Sequence, residues 1–352
     1  MILGPNFTHR PLTWQEKFKN SLMTNPQRLL ALSFALLMLF GGFLLSLPWA
    51  TLDGSRTPFV DALFVAVSCV SVTGLSTVDT FQHWSIFGQT VMVLLIQIGG
   101  LGTMTFTTFI FIVLRRRVGL ENKLLLQEDI GQDNISVRTV LKQIAILTFG
   151  FEFLGGIAYT LDLYPYLGYS AVYYGFYQAV STFCNAGFVF FDNNLPYKMV
   201  GDWGFTLTTC VLILIGGFGY MASFDIWNNR KRGFTHLTLH TKVMLMGELI
   251  LVTFGTLSIL GWEWNQTLQG LPLATKFQGA LFQAITPRTA GISTLNYADL
   301  HPITVFITVV LMFIGAGPNS TGGGIKISTM AVLWATSRSL FTNTRRVEIF
   351  ER

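Results

Sequence analysis

Residues 29–52, 85–114 and 203–224 contain no Asp, Glu, Lys, Arg or His. Each run reaches the ~20 residues that a helix rising 1.5 Å per residue needs to cross a bilayer. Only 12% of the chain is charged, 51% is hydrophobic, and the mean hydropathy is +0.51, against roughly 25% charge in soluble domains. The chain therefore reads as an all-α membrane protein. Its first apolar run is too long, and its leader too long and charged, for a cleavable signal peptide.

The position of the charges gives topology. Arg10, Lys17, Lys19 and Arg28 precede the first span, and Arg115, Arg116, Arg117, Lys123, Arg138 and Lys142 follow the second. Arg230, Lys231, Arg232 and Lys242 follow the fourth, and Arg338, Arg345, Arg346 and Arg352 lie at the end. The alternate connections hold only Arg56, Lys198, Lys276 and Arg288, so the positive-inside rule puts both termini in the cytoplasm. The basic pI of about 9.1 then reflects topology and contact with anionic lipid headgroups, not nucleic-acid binding. The outer connections carry the acids Asp53, Asp61, Asp79, Asp162, Asp192, Asp202, Glu263 and Asp299, a balance that raises the local cation concentration. Cys69, Cys184 and Cys210 show no CxxC spacing and suggest neither a disulfide framework nor a zinc site.

A unit repeats along the chain: a long apolar span, a short apolar stretch, a small-residue loop ending in glycine, and a second long span. The short stretches, 57–70, 171–183 and 274–285, cannot cross a bilayer and suit re-entrant helices. The loops after them read SVTGLST (71–77), CNAGFVF (184–190) and RTAGIST (288–294), with Gly74, Gly187 and Gly291 in register. Non-helical backbone at membrane depth is tolerated only where protein or a water-filled cavity surrounds it, and a dehydrated cation can partner the freed carbonyls. Glycine allows φ > 0, and the small side chains of Thr73, Ala186 and Ala290 leave room for a lumen. One such loop alone would read as an ordinary turn; three in register read as a filter.

Residues 303–339 are too long for one perpendicular span and are interrupted by Gly315, Gly317, Pro318, Gly322, Gly323 and Gly324. Interior glycines cost up to ~1 kcal/mol and a proline about 3 kcal/mol, so this span is expected to break. Polar Asn319, Ser320 and Thr321 at the break would face a cavity under the filter. The P-loop spacing G-x-x-x-x-G-K-[ST] is missing. Lys326 reads either as an electrostatic brake or as a side chain snorkelling to the inner interface. Glu152 and Glu248, inside the third and fifth spans, are expected to make structural hydrogen bonds, with a proton relay as the alternative. No HExxH or GxSxG motif is present, so no catalytic residue and no enzyme activity are assigned. His236 and His240 lie in a basic loop without acidic ligands and do not suggest a metal site.

The three loops together with GAGPNSTGGGIKIST (315–329) resemble the Trk/Ktr/HKT superfamily of potassium transporters, most closely its Ktr membrane subunits. The resemblance implies tandem M1-P-M2 repeats (helix, pore helix and filter loop, helix) around a pseudo-fourfold pore, with three repeats present of an expected four. The expected boundaries are 1–28 cytoplasmic, 29–114 first repeat, 115–137 linker, 138–227 second repeat, 228–239 linker, 240–339 third repeat with a broken second span, and 340–352 cytoplasmic. The resemblance implies a filter formed by Val72, Thr73, Gly74, Asn185, Ala186, Gly187, Thr289, Ala290 and Gly291. It implies a gate formed by Gly315, Gly317, Asn319, Ser320, Thr321, Gly322, Gly323, Gly324 and Lys326. The function so implied is the pore-forming subunit of a potassium uptake system in the plasma membrane. K+ is the transported ion, with Na+ as an activator or as an alternative coupled or permeant ion. The implied assembly is a homodimer on a cytosolic ring of nucleotide-binding, KtrA-like regulatory subunits.

Overall fold

The computed structural model describes residues 26–117 and 137–342, and over these the protein is helical. The expected cytoplasmic leader 1–25, most of the 115–137 linker and the 343–352 end lie outside the described residues. Eleven helices carry the architecture among the described residues: α1 (Pro26–Leu45), α2 (Phe59–Val70), α3 (Ile86–Arg117), α4 (Val137–Leu167), α5 (Ser170–Phe183), α6 (Trp203–Phe218), α7 (Tyr220–Asn229), α8 (Leu239–Glu263), α9 (Leu273–Ile285), α10 (Pro302–Phe313) and α11 (Ile327–Phe341). By length and composition, residues 141–167 of α4 and the whole of α8 can each cross a bilayer, and α6 with α7 passes the same test as a bent pair.

The short helices α2, α5 and α9 have 12, 14 and 13 residues, about 18–21 Å at 1.5 Å per residue, so they end within the hydrocarbon. Each packs against the long helix before it: α2 on α1, α5 on α4, α9 on α8. The sets then join side by side, with α3 against α4 and α5, and α6 against α9. The core is centred on the second loop, where Phe183, Phe188, Phe190, Phe191, Phe205 and Phe282 are fully buried. Phe205 stacks on Phe282 at 6.2 Å between ring centroids, and the Tyr159 hydroxyl lies 2.7 Å from Thr209 Oγ1 and 3.1 Å from Thr182 Oγ1. A buried aromatic cluster with its hydroxyls partnered supplies both apolar contact and a fixed geometry.

Two spans end earlier than their apolar runs. The run 29–52 stops being helical at Leu45, and Pro48, which has no N–H to continue the helix, opens a single 3₁₀ turn. The residues after it pair with those just before α3: the Leu52 N–H donates to His83 O at 3.0 Å and the Ser85 N–H to Ala50 O at 2.9 Å. The uncharged run 203–224 is not one span either. It breaks at Gly219 (φ 90°), and α6 and α7 meet at 100°. Hydropathy misses this break because both sides of it are apolar. Its cause is tertiary: Pro318 O, from the interrupted third-unit span, lies where a Gly219 side chain would stand.

Glycine also sets how closely the long helices approach the ends of the short ones. A Cβ on Gly99 of α3 would collide with the carbonyl of Val70, and one on Gly216 of α6 with the carbonyl of Phe183, the last residues of α2 and α5. Gly150 of α4 faces open space. Gly99→Ala is therefore expected to cost about 1–3 kcal/mol through overpacking, while Gly150→Ala, which gains helix propensity of up to ~1 kcal/mol, does not destabilise. Thermal unfolding of both purified variants in one detergent checks the contrast.

Candidate functional site

The short helices aim their C-termini, the partially negative ends, at three loops with the same backbone conformation. In each loop, the residue two before the glycine is left-handed: Val72 at φ 55°, Asn185 at φ 55° and Thr289 at φ 64°. The glycines follow at φ 82° (Gly74), 78° (Gly187) and 69° (Gly291). A β-branched residue such as Val72 or Thr289 rarely occupies this region, so the surrounding structure must hold it there. In the first two loops the same hydrogen bonds close the turn. The N–H groups of Thr73 and Ala186 reach back to Ser68 O (2.9 Å) and Ser181 O (2.8 Å).

The loops converge. A Cβ on Gly74 would lie 2.5 Å from Ala186 O, one on Gly187 would lie 3.1 Å from the Gly74 Cα and 3.6 Å from Ala290 O, and one on Gly291 would lie 3.1 Å from the Gly187 Cα. Loop two is thus flanked by loops one and three. Asn185 and Ala186 are fully buried, whereas Thr73 and Gly291 are exposed, so the arc is open between the first and third loops. The carbonyls of Val72, Thr73, Asn185, Ala186, Thr289 and Ala290 accept no hydrogen bond among the described residues. The carbonyls just beyond the second and third glycines do have partners. Phe188 O accepts from Ser181 Oγ (2.6 Å) and Gln178 Nε2 (3.3 Å), and Ile292 O accepts from Thr286 Oγ1. Gln178 also receives the Phe190 N–H at 3.2 Å on Oε1, and Gln283 Oε1 receives Ser293 Oγ at 3.1 Å. The braces hold the chain beyond the glycines and leave a concentrated set of carbonyl acceptors with no donor among the described residues, an arrangement that suits a dehydrated cation. Nothing in the sequence motifs pointed to Ser181, Gln178 or Gln283; their spacing of six to nine residues before the glycine was the available signal.

Below the loops, residues 314–326 form a non-helical interruption between α10 and α11, closed by a parallel bridge between Ile314 and Ile325. Gly315 N–H donates to Ile325 O (3.0 Å), Ala316 N–H to Gly323 O (3.1 Å), and Ser320 Oγ to Gly317 O (2.6 Å). Asn319 (φ 56°) and Gly324 (φ 76°) make its turns. The segment is clasped to the second unit: Gly317 N–H to Gly217 O (2.8 Å), Thr321 N–H to Gly216 O (3.2 Å), and Thr321 Oγ1 to both Phe183 O (3.1 Å) and Gly216 O (3.0 Å). In return the Tyr220 N–H donates to Asn319 O at 3.2 Å. It also touches the second and third loops. Gly323 N–H donates to Thr289 Oγ1 (3.4 Å), and a Cβ on Gly322 would lie 3.2 Å from Asn185 Nδ2. Neither Asn185 Nδ2 nor Oδ1 has a hydrogen-bond partner among the described residues. Lys326 folds back onto this segment, its Nζ donating to Gly322 O at 2.6 Å.

The two membrane glutamates lie behind the loops. Glu152 Oε1 accepts from Cys184 Sγ at 3.9 Å, and Glu248 forms an ion pair with Arg288. Arg288 therefore does not belong to the exposed outer face where charge counting put it; it is 3% exposed and its charge is taken up by Glu248.

Removing the Gln178 amide would leave the Phe190 N–H unpaired in a buried site. Gln178→Leu is expected to lose about 1–3 kcal/mol and Ser181→Ala less, because Phe188 O keeps a second donor. Thermal unfolding of the two variants in detergent tests the order.

Residues 42–351 match the family described as TrkH, cation transport protein. The Ktr system potassium uptake protein B of Bacillus subtilis (strain 168) is 37% identical over 331 residues, which cover 93% of this chain and 73% of that protein. The protein of the same description from Vibrio alginolyticus is 33% identical, covering 92% of this chain and 72% of its own. The crystal structure of the potassium transporter TrkH from Vibrio parahaemolyticus aligns with a TM-score of 0.68 at 20% identity, a likeness of fold, covering 90% of this chain and 64% of that one. This chain spans less than two thirds of that structure. The multi-pass helical fold and the match along most of the sequence lead to one conclusion: the chain belongs to the TrkH family of cation transport proteins.

Proposed function

We propose that the protein is a pore-forming membrane subunit of a potassium uptake system, in which the carbonyls of Val72, Thr73, Asn185, Ala186, Thr289 and Ala290 replace the hydration shell of a passing K+. The observation that carries this reading is their lack of any donor among the described residues at the point where three glycine loops converge. Unsatisfied carbonyls in a water-poor setting cost several kcal/mol each, and a cation removes that cost. The loops act as three sides of a pseudo-fourfold pathway whose remaining side lies between Thr73 and Gly291. The relatives described as Ktr system potassium uptake proteins support K+ as the ion. A relative described as a potassium/sodium uptake protein, 32% identical, supports Na+ as the second permeant or activating ion.

The segment 314–326 is the gate: it lies under loops two and three and must move for an ion to leave. The Thr321 hydroxyl, which ties two carbonyls, adds to the main-chain bonds that hold the segment on the second unit. As a member of a Ktr-type system, the subunit would pair as a homodimer and work with a cytosolic nucleotide-binding partner. The exposed basic patch Arg230, Lys231 and Arg232 at the end of α7 is available to that partner or to lipid headgroups.

Expression of the intact transporter is expected to restore growth of a potassium-uptake-deficient bacterium on low potassium. A Cβ at Gly187 or Gly291 would crowd the adjacent loop, so Gly291→Ser is expected to lower K+ over Na+ discrimination by about tenfold, roughly 1.4 kcal/mol; unchanged discrimination sinks the filter reading. Thr321→Val, which keeps the shape and removes the hydroxyl, should loosen the gate and raise K+ flux several-fold over the basal rate in flux assays.

A further inference from the structure

The residue three before the filter glycine is Ser71, Cys184 or Arg288 in the three loops, and each is satisfied differently. Ser71 is self-contained: its Oγ donates to Val67 O at 2.7 Å and lies 2.6 Å from Thr73 Oγ1. Cys184 and Arg288 are instead held by a buried glutamate from the first long helix of their own unit, Glu152 of α4 and Glu248 of α8. Two membrane-embedded carboxyl groups, on different helices, thus meet the same loop position. This argues against a proton relay, which would need the glutamates to line a path, and in favour of loop positioning.

The third loop has most need of such support. Its turn lacks the reach-back bond of the other two: the Ala290 N–H goes to Thr286 O at 3.2 Å, one residue nearer than in loops one and two. Arg288 also brings a full positive charge to within three residues of Gly291, where it would repel an approaching cation unless neutralised, and more strongly in a low-dielectric setting. Glu248 is its sole ion-pair partner among the described residues, and Arg288 Nη2 makes no hydrogen bond there. The pair continues toward the pathway: Thr289 Oγ1 donates to Arg288 O at 2.7 Å and receives the Gly323 N–H at 3.4 Å.

We propose that Glu248 is a positioning residue for the third filter loop, holding and neutralising Arg288 so that the Thr289 and Ala290 carbonyls stay aimed into a cation pathway free of uncompensated positive charge. This inference rests on the filter reading above. Glu152 performs the corresponding service for Cys184 without a charge pair, which suits a loop already clamped on both sides.

The test measures K+ uptake and K+ over Na+ discrimination per folded transporter, for the intact protein carrying Glu248→Gln, Arg288→Gln, both together, and Glu248→Asp. Glu248→Gln leaves the guanidinium uncompensated and is expected to raise the KM for K+ by about tenfold with a smaller change in Vmax. In the double variant both charges are gone, and KM is expected to return most of the way to wild type. A purely structural brace predicts no such rescue, so a double variant no better than Glu248→Gln overturns the proposal, as does an unchanged KM in Glu248→Gln. Should Glu248→Gln fail to accumulate, Glu248→Asp, which keeps the charge on a shorter arm, is expected to shift discrimination about two- to threefold; no shift overturns the proposal. Gly291→Ser measured alongside separates the two claims. If it changes discrimination and the Glu248 variants do not, only the positioning role fails; if neither does, the filter reading fails.

Discussion

Inside a bilayer, every backbone N–H and C=O must find a partner within the protein or in enclosed water, and that requirement organises this molecule. Helices meet it automatically, so the places where the chain is not helical are the informative ones. Among the described residues three such regions stand out: the three glycine loops, the segment 314–326 and the break at Gly219. Around the loops, the main chain just beyond the second and third glycines is braced by side chains. Ser181, Gln178 and Thr286 bind the carbonyls just beyond the glycines, and the helix ends close on Ser68 O and Ser181 O. Where the loops meet, a small set of main-chain carbonyls has no donor among the described residues.

The second region satisfies itself by pairing with another break. The interruption between α10 and α11 and the bend between α6 and α7 exchange main-chain hydrogen bonds, Gly317 and Thr321 donating to Gly217 and Gly216 while Tyr220 donates to Asn319. Each break frees groups that the other needs. The GGFGY run at 216–220 and the glycine-rich run at 315–324 are therefore one structural feature built from two distant pieces of chain. Movement of one should be felt by the other, because the bonds they share have no alternative partners in an apolar surrounding.

Charge follows the same logic. A lone buried guanidinium or carboxylate is costly, and breaking a buried pair leaves an uncompensated charge. Arg288 and Glu248 are tolerated because they meet, and their meeting ties α8 to the third loop. Lys326 similarly turns back to Gly322 O, so its amine serves the segment beside it.

Much of this was legible in the sequence because it depends on local properties. Length separates a short helix from a span, as with α2, α5 and α9, and Gly74, Gly187 and Gly291 mark positions needing positive φ. Other features ran against local preference. Val72 and Thr289 adopt left-handed backbone that β-branched residues disfavour, and no propensity would have chosen them. The early end of α1 at Leu45 and the break at Gly219 lie inside uninterrupted apolar runs, where hydropathy carries no signal.

The sequence by itself determined the membrane setting, the order of long and short helices, and which glycines sit in register, since each follows from chain length, apolarity and the steric freedom of glycine. Only the tertiary structure decided which carbonyls lack donors, where α6 bends, and that Arg288 finds Glu248 forty residues away. Those outcomes depend on what packs beside each group, and in a medium without water the neighbour supplies the partner that solvent would otherwise provide.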